Sequence, residues 1–132
     1  MPAIKRQITA IKDRDALTEK IIACAYKVHS TLEPGFNEGI YHNALRVALE
    51  EDGLRFQTEK SFDVSFRGKY VGRLRLDLII EDKVIIEVKA LTGNLPAVFE
   101  LQVLSYLKAS GHKVGLLINF GNKSCQVRRL MV

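Results

Sequence analysis

Apolar residues recur at steps of three and four between Asp15 and Leu32: Leu17, Ile21, Cys24, Ala25, Val28 and Leu32. That spacing predicts a helix with one buried face, which Pro34-Gly35 ends. A second stripe, Ile40, Tyr41, Ala44, Leu45, Ala48 and Leu49, predicts a helix from Asn37 to Asp52. Asn37 is placed to cap its first turn and Gly53 to stop it. Beyond Gly53 the period changes. Phe56 to Phe66 alternates in part, Arg67-Gly68-Lys69 reads as a turn, and Tyr70 to Ile80 and Lys83 to Ala90 are rich in β-branched and aliphatic residues. Three consecutive antiparallel strands are expected there.

A third helix is expected over residues 95–110. Asn94 and Pro96 give its start, Val98, Leu101, Leu104 and Leu107 its apolar positions, and Gly111 its end. Lys113 to Phe120 and Ser124 to Val132, on either side of a Gly121-Asn122 turn, read as the last two strands. The order is ααβββαββ, an α/β chain of the α+β kind without internal repeats or a linker.

Length adds that 132 residues suffice for one domain with a real core and not for two. The expected domain is 1–132, with 1–14 as a polar arm in which Lys5, Arg6, Lys12 and Arg14 form a solvated basic segment. Hydrophobic residues at 47% and charged residues at 27% exclude a disordered or fibrous chain. No apolar run approaches the roughly 20 residues that span a bilayer, and the start lacks the apolar stretch of a secretory signal. A cytoplasmic protein without membrane contact is expected. Two cysteines, Cys24 and Cys125, lack the spacing of a zinc site. The formal charge of +5 would attract a polyanion, though an excess of that size alone identifies no partner.

The stretch LDLIIEDKVIIEVKA changes the picture. With its turn at Glu81-Asp82-Lys83, Ile80 faces Val84 across the antiparallel pair, and counting outward Asp77 faces Glu87. Alternation then puts Asp77, Ile79, Ile85, Glu87 and Lys89 on one face. Leu76, Leu78, Ile80, Val84, Ile86 and Val88 suggest a sheet buried on both sides, where charges need a reason. Opposed buried carboxylates repel at a cost of several kcal/mol, so the pair should share a proton or bind a cation such as Mg²⁺ or Mn²⁺. A purely structural alternative is an ion-pair network neutralised by Lys89, which leaves a surplus negative charge.

Asp77, followed after a gap by Glu87-Val88-Lys89, resembles the D…ExK signature of the PD-(D/E)XK nuclease superfamily. Gly35-Phe36-Asn37-Glu38-Gly39-Ile40-Tyr41, after a helix ending in Val28-His29, resembles the naming motif of the GxxExxY protein family within it. Gln102-Val103-Leu104-Ser105-Tyr106 is similar to the superfamily's QxxxY helix, and Gly115 to Phe120 to the strand that follows. The resemblance runs over nearly the whole chain, with Leu76 standing where the superfamily's name implies proline.

The resemblance implies a restriction-endonuclease-like core, a central mixed sheet flanked by helices. It implies a nuclease that hydrolyses DNA or RNA through water activated by Mg²⁺ or Mn²⁺. Asp77 and Glu87 would hold the ion, with the Val88 backbone carbonyl as a further ligand, and Lys89 would orient or deprotonate the water. Glu38 is implied as a ligand of the metal or of its water, against the reading that a helix dipole simply favours an acid there. Gln102 and Tyr106, four apart on one helix side, suit contacts to Lys89, the acids or a nucleotide.

Tyr41 and His29 are candidates for a supporting role beside the site, against packing with a satisfied polar tip. Arg73 and Arg75 share the parity of Asp77 and suit a phosphate backbone, against plain exposure to solvent. The bare core suggests a homodimer or a partner protein to help grip nucleic acid. The rival to an enzyme is a nucleic-acid-binding or regulatory module, or a protein-interaction module, that keeps the nuclease fold without turnover.

Overall fold

A computed structural model of the chain describes residues 5–7 and 15–132. The elements run β1 (Lys5–Gln7), α1 (Ala16–Leu32), α2 (Glu38–Glu51), β2 (Phe56–Phe66), β3 (Lys69–Ile80), β4 (Val84–Lys89), α3 (Ala97–Ser110), β5 (Val114–Asn119) and β6 (Gln126–Met131). The α+β order read from the periodicities is observed, with one addition. Lys5–Gln7, assigned to the arm, pairs antiparallel with β6. Lys12 and Arg14 of that arm lie outside the described residues.

Local chemistry explains the helix starts. The Asp15 carboxylate accepts the Thr18 N–H at 2.7 Å, and the Asn37 side chain accepts the Ile40 N–H at 3.1 Å. Each satisfies a first-turn donor that the helix leaves unpaired. α3 ends on Gly111 at φ 79, a left-handed cap that glycine adopts without strain.

The sheet order is β1-β6-β5-β4-β3-β2, with β4 and β5 parallel and every other neighbour antiparallel. A parallel pair needs a crossover, and α3 supplies it. The central strands are therefore covered twice. Leu78, Ile80, Val84, Ile86 and Val88 pack against α1 and α2, while Ile79, Ile85 and Leu117 pack under α3. Each such side chain contributes roughly 1.5–3 kcal/mol by leaving water, so a carboxylate in their midst works against the trend. Among the described residues no helix is long and apolar enough to cross a membrane.

The α3 stripe differs from expectation. Val98 and Leu101 are exposed, whereas Val103, Leu104 and Leu107 are buried. A helix turns about 100° per residue, so a run of strict threes walks about 60° backwards at each step. Val98 and Leu107 consequently lie on opposite sides, and no single face holds all four.

Candidate metal centre

The β3–β4 hairpin turns on Glu81 and Asp82, both at φ 52, with the Lys83 N–H donating to the Ile80 carbonyl at 2.9 Å. Two consecutive positive φ values mark the type I′ turn, whose twist matches that of a tight hairpin. The ladder pairs Ile80 with Val84, Ile79 with Ile85 and Leu78 with Ile86, in the register read from the sequence. There it stops. At the next step the Asp77 carboxylate, not its backbone, accepts the Val88 N–H at 3.3 Å. A strand residue directs its N–H and C=O to the same edge, so the Val88 carbonyl also faces Asp77.

On its other edge, the β2–β3 ladder skips the level of Glu59 and Asp77, where Glu59 takes the left-handed φ of 54. The side chains also change faces there. Leu78 packs with α1 and α2, yet Leu76, two residues earlier, packs under α3. Phe56 and Phe62 of β2 divide between the two cores in the same way. Asp77 thus stands where both strands cross from one face to the other, and the interrupted ladder leaves room for its carboxylate.

Glu87 is buried beside Ile85 and Leu117 on the α3 face. Burial, then a hydrogen bond to Asp77 and the charge of that carboxylate, push the Glu87 carboxyl well above the usual range, with Lys89 opposing. Glu87 therefore keeps its proton at neutral pH when no cation is present. Tyr106 reaches Glu87 from α3 through a hydrogen bond, and burial followed by the Glu87 charge pushes its phenol up to about 12. The hydroxyl thus remains a donor at neutral pH. Lys89 Nζ lies 4.3 Å from the centre of the Phe99 ring, a cation–π contact that fixes the ammonium beside the acids. Burial raises the Glu38 carboxyl, Lys89 lowers it and Asp77 raises it, which places all three in one electrostatic neighbourhood.

A stability prediction follows for the metal-free protein. Glu87 has a folded pKa above its unfolded value, so its stabilising contribution is complete below about pH 4.5 and is lost as pH climbs towards the folded value. In EDTA the melting temperature should fall between about pH 5 and about pH 8, and Glu87→Gln should flatten that slope. Thermal melts at matched ionic strength measure it. An unchanged slope in the variant would show that Glu87 does not carry the effect.

Glu38, Gly39, His42, Glu59, Arg75, Asp77 and Val88 line a cavity of about 240 Å³ in front of Asp77. The structure brings Asp77, Glu87, Lys89, Glu38 and Tyr106 together and sets Arg75 at the cavity wall. Gln102 is half-buried one turn before Tyr106 on α3. Arg73 instead forms an exposed 3.2 Å ion pair with Asp63. His29 Nε2 lies 2.7 Å from the Asn122 carbonyl and its ring stacks near Phe120, so it braces the β5–β6 loop. Tyr41 is fully buried, donates to the Glu33 carbonyl, accepts the Phe36 N–H at 3.1 Å and stacks on Phe120 at 5.0 Å.

These contacts give the Gly35, Glu38 and Tyr41 spacing a physical meaning. Gly35 adopts φ 129, Tyr41 staples the loop from one turn inside α2, and Glu38 opens that helix at the cavity. The sequence reading did not single out His42, Glu59 or Phe99. His42 follows Glu38 by four residues, a same-face signal that was available, and its Nε2 lies 3.4 Å from the Asp77 carbonyl. Phe99 likewise shares a face of α3 with Gln102 and Tyr106 by threes and fours. Glu59 had no such signal, because its backbone turn follows from the ladder break.

The donor chemistry suits a hard divalent cation. Two touching carboxylates destabilised by each other, with a backbone carbonyl on the same edge, form an all-oxygen set that excess positive charge would relieve. Among the described residues no three His, Cys, Asp or Glu side chains are already gathered for a metal. Mg²⁺ needs no such cage, since it is commonly held by one or two carboxylates and keeps several waters.

A family model described as the PD-(D/E)XK nuclease superfamily matches residues 15–130. No curated protein matches the chain.

Proposed function

Because the chain belongs to the PD-(D/E)XK nuclease superfamily, we propose that it hydrolyses phosphodiester bonds of DNA or RNA with Mg²⁺ or Mn²⁺ held by Asp77 and Glu87. The observation that carries this reading is the contact of half-buried Asp77 with buried Glu87 across a broken ladder, with Lys89 alongside. The Gly35, Glu38 and Tyr41 arrangement supports placement in the GxxExxY family. A divalent ion at the pair would supply Lewis-acid stabilisation of the phosphate and a more acidic water.

The chain's own residues do the rest. Asp77 and Glu87 orient the ion, and the Val88 carbonyl and Glu38 are the next oxygens at hand. The Tyr106 hydroxyl holds Glu87 in place, and Gln102 lies on the same helix side to meet a substrate. Lys89, pinned against Phe99, stabilises charge growing on the phosphate and helps orient the attacking water. Arg75 draws the strand towards the cavity. The site of action is the cytoplasm, with a second copy or a partner protein adding grip on the substrate.

The test is incubation of labelled single- and double-stranded DNA and RNA with Mg²⁺ or Mn²⁺, for the wild type and Lys89→Ala. Metal-dependent cleavage that falls about 10²–10⁴-fold in the variant is expected. Nucleic acid bound and never cut, under either metal, would replace this reading with that of a binding or regulatory module.

A further inference from the structure

We propose that a β-bulge in the β2–β3 hairpin sets Tyr70 on the same face as Arg73 and Arg75, and that this face binds unpaired nucleic acid, the ring stacking on a base while the arginines hold phosphates. The inference rests on the proposed phosphodiester chemistry and names the form of its substrate. Phe62 pairs with Leu74 and Lys60 with Leu76, and Phe62 and Leu76 pack in the core under α3. Neighbouring residues alternate, so Ser61, Asp63, Arg73 and Arg75 point the other way, where Arg75 lines the cavity with Glu38 and His42. The ladder then shifts. Val64 pairs with Gly72 but Ser65 with Tyr70, which leaves Val71 as an extra residue. Ser65 follows Val64 and takes the cavity face, and Tyr70 opposite it shares that face. Strict alternation from Arg73 would have turned the ring to the α3 side, so the bulge is what aims it. Phe66 and Lys69, one step further on, point to the α3 side.

The two faces differ in exposure. Phe62, Val64, Gly72 and Leu74 are half-buried, whereas Ser61, Asp63, Ser65, Tyr70, Arg73 and Arg75 are all exposed. The Tyr70 ring is 63% exposed, and the β2 residues beside it and the arginines are too short to cover a ring or a guanidinium. With Val71 as the extra residue, Tyr70 stands six ladder steps from Asp77, about 20 Å, so a strand of several nucleotides on this face reaches the cavity. From Lys60 to Arg75 the hairpin carries five cations and one anion, a net charge of +4 that draws a polyanion to it. The Arg73–Asp63 pair is exposed on both partners, so a phosphate can replace the carboxylate at small cost. An acidic protein surface would satisfy the arginines and leave the ring without a partner. An unpaired base stacks on it, and nearby arginines strengthen such a platform. Duplex bases are already stacked on each other and offer the ring little.

The test measures binding in EDTA by fluorescence anisotropy, so its outcome does not depend on cleavage. Probes are a labelled single strand of about 16 nucleotides and a duplex of about 16 base pairs, in DNA and RNA forms. Tyr70→Ala should weaken binding of the single strand about tenfold or more, and Tyr70→Phe, which keeps the ring, should bind as the wild type does. Arg73→Ala should lower the slope of log affinity against log salt by about 0.7, the value of one phosphate contact on a single strand. Phe66→Ala removes an aromatic ring of equal exposure from the opposite face and should leave affinity unchanged. Unchanged affinity in Tyr70→Ala, or no binding of any probe by the wild type, would overturn the proposal while leaving metal-dependent cleavage, measured separately, intact. An equal loss in Phe66→Ala would overturn the assignment to one face, and equal weakening on the duplex the assignment to unpaired bases. Loss of a self-associated species in Tyr70→Ala, with nucleic-acid affinity unchanged, would make the face a protein interface instead.

Discussion

Asp77→Asn should abolish metal-dependent cleavage and, in the same protein, raise the melting temperature measured in EDTA. The loss in rate is expected to be at least about 10³-fold, because a metal contributes several kcal/mol of charge stabilisation and each 1.36 kcal/mol is tenfold. The gain in stability has the same origin. In the folded chain Asp77 presses against Glu87, whose carboxyl is driven upward by burial and by that neighbour. An asparagine there carries no charge, can still accept the Val88 N–H, and can donate to Glu87. Relief of about 1 kcal/mol should shift the melt by roughly 3–5 °C for a domain of this size. Excess Mg²⁺ should reverse the order, stabilising the wild type and not the variant. Equal melting temperatures in EDTA would mean that the two acids do not repel.

Asn119→Ala should cost about 3–4 kcal/mol of stability, among the largest effects of any single substitution in the domain. Asn119 is fully buried at the end of β5. Its Oδ1 accepts the N–H groups of Leu91 and Gly121 at 2.8 and 3.2 Å, and its Nδ2 donates to the Leu91 carbonyl and the Gln126 Oε1 at 2.9 and 2.8 Å. Truncation removes this partner from all four groups, which are half-buried. Gly121 shows how close the packing is, since an added Cβ would sit 2.3 Å from the Leu91 carbonyl oxygen. Leu91 follows Lys89 by two residues, and the Lys89 carbonyl accepts the Phe120 N–H at 2.9 Å. The clamp therefore also sets the backbone that presents the lysine. Denaturant unfolding measures the loss, and a cost below about 1 kcal/mol would show that water replaces the amide.

The hairpin was legible because its signals agree. Apolar residues fill β4 without a break except at Glu87 and Lys89, the turn lies at a polar triplet, and a one-residue slip would put the two acids on opposite faces. Helix α2 was equally readable from Asn37, Tyr41, Leu45 and Leu49. The break at Asp77 was not, because Leu74, Leu76 and Leu78 alternate regularly although the strand changes faces beneath them. Parity alone groups Arg73 and Arg75 with Asp77, yet only Arg75 joins it at the cavity. His29 and Tyr41 looked alike as polar residues near the motif, and only coordinates distinguish bracing a loop from facing the acids. Val98 and Leu101 misled because steps of three drift around a helix.

The central claim is that Asp77 and Glu87 together hold one divalent cation. Anomalous diffraction from a crystal soaked in Mn²⁺ tests it most directly. The account predicts a single peak between the two carboxyl groups, within about 2.2 Å of an oxygen from each, and no such peak in Asp77→Asn. A peak elsewhere on the protein, or none between these acids while their contact persists, would contradict it.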